Sequence, residues 1–270
     1  MPSSKMMGSL DERLMGFIGT TTQRDVNYEI ALAMLKNYGR LRSMSIQDIA
    51  DLCFVSKASV SRFCRFLGFD SFRDLHECLE DEYTFSTDYT REFFDAYCQD
   101  PARSLERYAH DISRNIEAVC ASDNVARAPE IARAISQSKR VAFFSHHFLW
   151  DVGRHMQSKM IHMDRHVELY LAYDHQLTCA ESLTQADLAI VCSVGGSYPL
   201  RYPKIWNALT SASCPIAVIT QALSSPYWNQ TRHVLGCGVT NRNDLGKYGA
   251  LMAIDLLILE YLRLYGRAYY

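Results

Sequence analysis

The chain has 270 residues, 48% of them hydrophobic and 21% charged, with a formal net charge of -2. That length accommodates two domains that each bury a core, and the charge excludes a protein that coats polyanions over its whole surface, so nucleic-acid binding would need locally placed bases. No stretch reaches the roughly 18 to 20 uncharged apolar residues of a membrane span, so no membrane partner is expected. The opening Met1-Pro-Ser-Ser-Lys-Met-Met-Gly lacks an apolar secretory core, and the nine scattered cysteines include no C-x-x-C pair. Both features fit a reducing, cytoplasmic compartment rather than a disulfide framework or zinc ribbon.

Taken in order, the first half reads as helical. From Thr22, Val26, Ile30, Ala33, Met34 and Tyr38 recur at three and four, predicting a helix that ends near Gly39. Ser45-Ile-Gln-Asp opens a short helix with a capping-box-like start, carrying Ile46, Ile49, Ala50 and Leu52. Ser56 caps the next helix, whose Val60, Phe63, Cys64 and Leu67 share a face and whose end falls at Gly68. Ser71 opens a fourth helix through Leu75 and Leu79, and residues 84 to about 120 read as a helical arm interrupted near Pro101.

After Lys139 the pattern changes. Val141-Ala-Phe-Phe, Leu188-Ala-Ile-Val-Cys and Ile216-Ala-Val-Ile are short apolar runs that read as buried parallel strands. Helical stretches around 150 to 163 and 200 to 211 separate them, and a long apolar helix from Gly246 to Leu264 closes the sequence. In that helix Tyr248, Leu251, Ile254, Ile258 and Leu262 form the expected buried stripe, against a dimer partner or the sheet. Alternating strand and helix units predict an open α/β sheet whose site lies beyond the carboxyl ends of its strands, at loops 145 to 149, 193 to 198 and 220 to 226.

The first half contains what a helix-turn-helix requires. Small Ala50 permits close helix crossing, Val55 and Val60 seal the corner, and Ser56 satisfies amides at the start of the second helix. A 100° step per residue sends Lys57, Ala58, Ser61, Arg62 and Arg65 outward. Ser56, Lys57, Ala58, Ser59, Ser61, Arg62 and Arg65 are therefore the expected DNA-binding set, with Arg62 the expected base contact. Arg40, Arg42 and Arg73 could extend a phosphate-facing stripe. Phe54 occupies a turn position that usually requires a residue tolerant of positive φ. The competing reading is a three-helix packing unit whose basic face is merely solvated.

Ser45-Ile-Gln-Asp-Ile-Ala, Val55-Ser-Lys-Ala-Ser-Val-Ser-Arg-Phe-Cys-Arg-Phe-Leu-Gly-Phe and Ser71-Phe-Arg-Asp-Leu resemble the N-terminal domain of the RpiR family of bacterial transcription regulators. The later half is similar in layout to that family's sugar isomerase (SIS) domain. The resemblance implies an α plus α/β protein. An all-α helix-turn-helix domain over 1–80 would be followed by a helical linker over 81–122 and a three-layer SIS domain with a mostly parallel sheet over 123–270. It implies a homodimer or higher homo-oligomer on a double-stranded operator, with a phosphosugar sensed by the second domain.

The loops depart from the pattern that the resemblance implies. Small residues are needed where amides and hydroxyls close around a phosphate. Here the first loop is Ser145-His-His-Phe-Leu149, with bulky His147 and Leu149 at expected Gly and Ser positions, and the second is Ser193-Val-Gly-Gly-Ser-Tyr198, with Gly195 for serine and Tyr198 for threonine. Two readings stay open. In one, Ser145, His146, His147, Ser193, Gly195, Gly196, Ser197 and Thr220 bind an anion or sugar phosphate, a histidine supplying a charged donor. In the other, the domain senses something else or only dimerises, and DNA binding is constitutive.

A metal reading of His146, His147, His162 and His166 lacks further ligands, so no metal or cofactor is expected. An isomerase would need a positioned base beside an intact phosphate loop, and neither His175 nor Glu181 belongs to a catalytic pattern. No enzyme is therefore expected.

Overall fold

The structure is a computed structural model that describes residues 10–83, 89–240 and 243–266. The opening residues read as lacking a secretory signal, and residues 84–88 of the expected arm, lie outside the described residues. The chain divides into two compact units, the first holding the described residues up to Tyr83 with the segment Leu171–His175, the second the remainder.

The first unit is built from α1 (Leu10–Thr20), α2 (Val26–Lys36), the short α3 (Tyr38–Leu41), α4 (Ile46–Leu52), α5 (Lys57–Phe66) and α6 (Phe72–Tyr83). Short polar side chains set the starts. Asp25 accepts from the Tyr28 amide, Ser45 and Asp48 form a reciprocal capping box, and Ser56 accepts from the Ser59 amide. Leu10, Leu14, Ile30, Met34, Leu41, Ile49, Val60, Phe63 and Leu67 are fully or almost fully buried and form one core. Each such side chain contributes roughly 1.5 to 3 kcal/mol relative to exposure. Helix α1 was absent from the sequence-based expectation. It packs Phe17 edge-on to Phe63 at 5.5 Å, and Arg13 sits over the Phe69 ring while donating to the Leu67 carbonyl. The helix expected to end near Gly39 stops at Lys36, and Gly39 lies inside α3.

In the second unit, α7 (Arg91–Gln99), α8 (Pro101–Val119) and α9 (Ser122–Gln137) precede β1 (Val141–Phe144). There follow α10 (Phe148–Met160), β2 (Glu168–Leu169), α11 (Tyr173–Ser182, which belongs to this unit from Gln176 on), β3 (Leu188–Cys192), α12 (Tyr198–Arg201) and α13 (Pro203–Ser211). The unit closes with β4 (Ile216–Thr220), β5 (His233–Gly236) and α14 (Asn243–Tyr265). The stretch expected as a linker is, over α7 and α8, part of this unit. Asn115 of α8 accepts from the Val239 and Thr240 amides, and Tyr108 donates to the Asp244 carbonyl.

Among the described residues the sheet has five parallel strands in the order β2-β1-β3-β4-β5. Val141, Phe143, Leu188, Ile190, Ala217 and Ile219 join residues of α9, α10 and α14 in one core, while the alternate Ala142, Phe144, Ala189, Val191 and Val218 are buried on the opposite face. Burial on both faces is why these strands read as continuous apolar runs. The three-layer α/β expectation is met. Strands β2 and β5 went unseen because β2 has two residues and β5 is a half-buried edge. At that edge the Asn124 amide donates to the Gly236 carbonyl and accepts from its N–H, both at 2.9 Å, and Arg127 donates to the Val234 carbonyl.

Of the stripe expected on the last helix, Ile254 is buried and Ile258 packs against the core. Ala250, Ala253, Ile254, Leu257 and Tyr261 are the buried positions, whereas Leu251, Ile258 and Leu262 are partly exposed and Tyr248 is 36% exposed. A helix apolar on nearly all sides gives periodicity too little contrast to mark the inward face. Gly249 lets this helix approach the sheet, because a Cβ there would overlap the Cys237 carbonyl oxygen. Gly249→Ala is expected to destabilise the protein by about 2 kcal/mol, read as a lowered thermal midpoint. An unchanged midpoint would show that the contact is slack.

Candidate functional site

Helices α4 and α5 meet at a turn whose two backbone bonds define a Schellman motif: Phe54 N–H donates to the Asp51 carbonyl and Val55 N–H to the Ala50 carbonyl. Phe54 takes the left-handed φ of 53° that this motif demands, so its bulk does not re-route the turn. For a bulky residue that conformation costs roughly 1 to 2 kcal/mol. The following helix turns Val60, Phe63 and Cys64 inward and leaves Ser56, Lys57, Ala58, Arg62 and Arg65 exposed, with Ser59 and Ser61 partly so. Ser56 and Ser59 hydroxyls lie 3.0 Å apart and Arg62 donates to the Ser59 hydroxyl at 3.0 Å, so this guanidinium is drawn toward the helix start. Burial pushes the Cys64 thiol up to about 12, leaving it a packing residue. Arg40, Arg42 and Arg73 are exposed too. Arg73 pairs with Glu77 at 2.9 Å, an open ion pair of small energetic weight.

In the second unit, the loops after β1 and β3 lie side by side because those strands are neighbours, and the chain leaves them toward opposite edges of the sheet. Such a switch point opens a crevice at the strand ends. The expected residues Ser145, His146, His147, Ser193, Gly195, Gly196 and Ser197 belong to these two loops, and Thr220 ends the adjacent β4. Their polar groups are largely turned to the protein's own use. Ser193 Oγ accepts from the Tyr198 amide at 3.1 Å, while Thr220 Oγ1 donates to the Val194 carbonyl and accepts from the Ala222 amide.

Tyr198, standing where the resemblance implied threonine, is fully buried. Its hydroxyl donates to Gln176 Oε1 at 2.6 Å, and Gln176 Nε2 donates to the carbonyls of Ser145 and Tyr170. The ring stacks on His146 at 6.0 Å and lies 5.0 Å from Tyr202. Gln176 and Tyr202 were missed in the sequence, since neither carries a spacing signal. His147 adopts a φ of 52°, the left-handed region in which the implied glycine would sit without strain. Leu149 packs against the main core, and Gly196 has φ 74°.

Two buried atoms in this loop have no hydrogen-bond partner among the described residues, Ser145 Oγ and His146 Nδ1. Burial, reinforced by the positive fields of His147 and Arg201, holds His146 down at about 3. It is neutral near pH 7, so of the two histidines offered as a charge-assisted donor, His146 does not carry the charge in this state. His162 and His166 do not share a helix face, because the 3-10 turn carrying His162 ends at Met163. His175 and Glu181 are exposed positions of α11.

Residues 24–86 match the family model described as "Helix-turn-helix domain, rpiR family". This segment is an rpiR-family helix-turn-helix domain. Across 97% of this chain and 94% of the other, the fold is similar to the Vibrio vulnificus NanR protein complexed with ManNAc-6P, at 18% identity and a TM-score of 0.52. The sugar isomerase domain of an RpiR transcription factor from Sphaerobacter thermophilus is similar over 62% of this chain and 92% of its own, at 18% identity and a TM-score of 0.50. The matched segment is thus a DNA-binding type of domain, and the fold of the whole chain is similar to that of these regulators. Its helix-turn-helix domain is followed by a SIS-type fold.

The neutral His146 has a measurable consequence. Its folded value lies below the ordinary 6.5, so between about 6.5 and 3 the unfolded chain binds more protons. The corresponding stability is complete above pH 6.5 and is lost as pH falls. Between pH 7.5 and 5 the loss is expected to reach about 2 kcal/mol. Urea midpoints of wild type and His146→Gln should therefore converge on acidification. Parallel pH profiles would show that His146 stays accessible to protons in the fold.

Proposed function

We propose that the chain is a cytoplasmic homodimer that reads an operator with the paired α5 helices of its two copies. The observation that carries this reading is the face of α5: a capped N-terminus with Lys57, Arg62 and Arg65 exposed over a buried Val60, Phe63 and Cys64. One helix gives few contacts, and two half-sites at fixed spacing multiply discrimination. In a gel shift, Arg62→Ala is expected to cost about 1 to 3 kcal/mol and relax specificity at one base position, whereas Lys57→Ala weakens all sequences evenly and lowers the salt slope by about 1. Wild-type binding by both variants at low salt would refute DNA reading by this helix.

The controlling ligand that we propose is a phosphosugar or related small molecule entering the β1–β3 crevice. Ser145 Oγ and His146 Nδ1, buried without partners, support such a ligand. So does the ManNAc-6P bound to the similar NanR protein. A ligand that displaced Tyr198 from its bond with Gln176 would select a minor conformer and so shift the population of dimer geometries. A second reading, a SIS-type dimeriser with constitutive DNA binding, is favoured by the complete burial of Tyr198 and the internal use of the Ser193 and Thr220 hydroxyls. We assign no reaction to the crevice. Thermal melts against a panel of phosphosugars separate the two: a stabilising shift of several degrees is expected for an effector, and no shift with any member would leave the dimeriser reading.

A further inference from the structure

We propose that Phe54 is itself a DNA-contacting residue, laying its ring against an apolar surface of the operator beside the start of α5. This rests on the reading of α5 as the DNA-reading helix.

The same motif occurs twice within twenty residues of this chain. After α5, Gly68 donates to the Arg65 carbonyl and Phe69 to the Cys64 carbonyl, with Gly68 at a φ of 91°. After α4, Phe54 and Val55 make the equivalent pair of bonds. Glycine fills the first motif without strain, whereas the second bears the bulk of phenylalanine in the left-handed region. Within the fold the ring receives nothing in return: Phe54 is 97% exposed, the most exposed large hydrophobic among the described residues. The strained backbone costs folding energy while the exposed ring returns no burial, a combination accounted for by a partner that covers the ring.

Its place selects the partner. Phe54 stands two residues before Ser56, the cap of α5, so the ring flanks the helix end that carries Lys57 and lies nearest the groove. Double-stranded DNA presents two apolar surfaces at that rim, the C5-methyl of thymine and the carbons of deoxyribose. Aromatic contact with the thymine methyl is an established mode of readout. An uncharged ring displaces no counterions, so its contribution should not depend on salt.

The test uses the full chain and an operator selected from random DNA. Phe54→Gly should melt at or above the wild-type temperature while binding the operator at least threefold more weakly, with an unchanged salt slope. Phe54→Asn, which also tolerates the left-handed backbone, should behave alike, and Phe54→Trp should restore binding. Thymine-to-uracil replacement along the operator assigns the surface. A position that weakens wild type but not Phe54→Gly identifies a methyl contact, and the absence of such a position identifies deoxyribose. Binding by Phe54→Gly within threefold of wild type overturns the proposal. If that variant instead shifts in sedimentation, the ring serves contact between protein chains. Loss of binding in the Lys57 and Arg62 variants alongside wild-type binding by Phe54→Gly would sink this proposal alone. Wild-type binding by all three would sink the reading of α5 beneath it.

Discussion

A primary amide removed from water must find partners for its donors and its acceptor, and Gln176 does so by reaching three separate segments. Its Nε2 ties the Ser145 and Tyr170 carbonyls, and its Oε1 takes the Tyr198 hydroxyl. Those bonds fasten α11 to the loop after β1 and draw α12 down over the end of β3. The chain's own tyrosine is therefore buried beside the loops at the switch point, where its ring stacks on His146 and its amide engages the Ser193 hydroxyl. A half-satisfied network would be less stable than an apolar one, so this latch favours being wholly closed or wholly released.

The sequence disclosed the elements whose signal is local. Strands β1, β3 and β4 stood out because burial on both faces makes them unbroken apolar runs, and α4 and α5 because Ser45 and Ser56 cap within three residues. Helix α1 carries a legible Leu10, Leu14, Phe17 spacing that was passed over. The loops showed their departure in plain residues, Tyr198 for threonine above all. What Tyr198 does there was not legible, since its partner lies 22 residues upstream on another element. The state of His146 was hidden for the same reason: it depends on burial and on Arg201, neither of which a one-dimensional pattern records.

In the first unit the departures from ideal local chemistry sit around one turn. A bulky residue occupies a left-handed position there, and Arg62 folds back toward the serines at the helix start. Natural sequences accept such conflicts where function requires them, while the core of Leu14, Ile30, Met34, Phe63 and Leu67 obeys packing rules throughout.

The edge strand β5 carries a further consequence. An open strand edge is a template onto which another chain can add a strand. Here Asn124 acts as a one-residue stand-in for that missing strand, taking both backbone groups of Gly236, while Arg127 takes the carbonyl of Val234. Along this side, side chains take up outward backbone groups of Gly236 and Val234, which disfavours the addition of a strand from another copy. The edge is thereby guarded against the sheet-to-sheet growth that leads to aggregation.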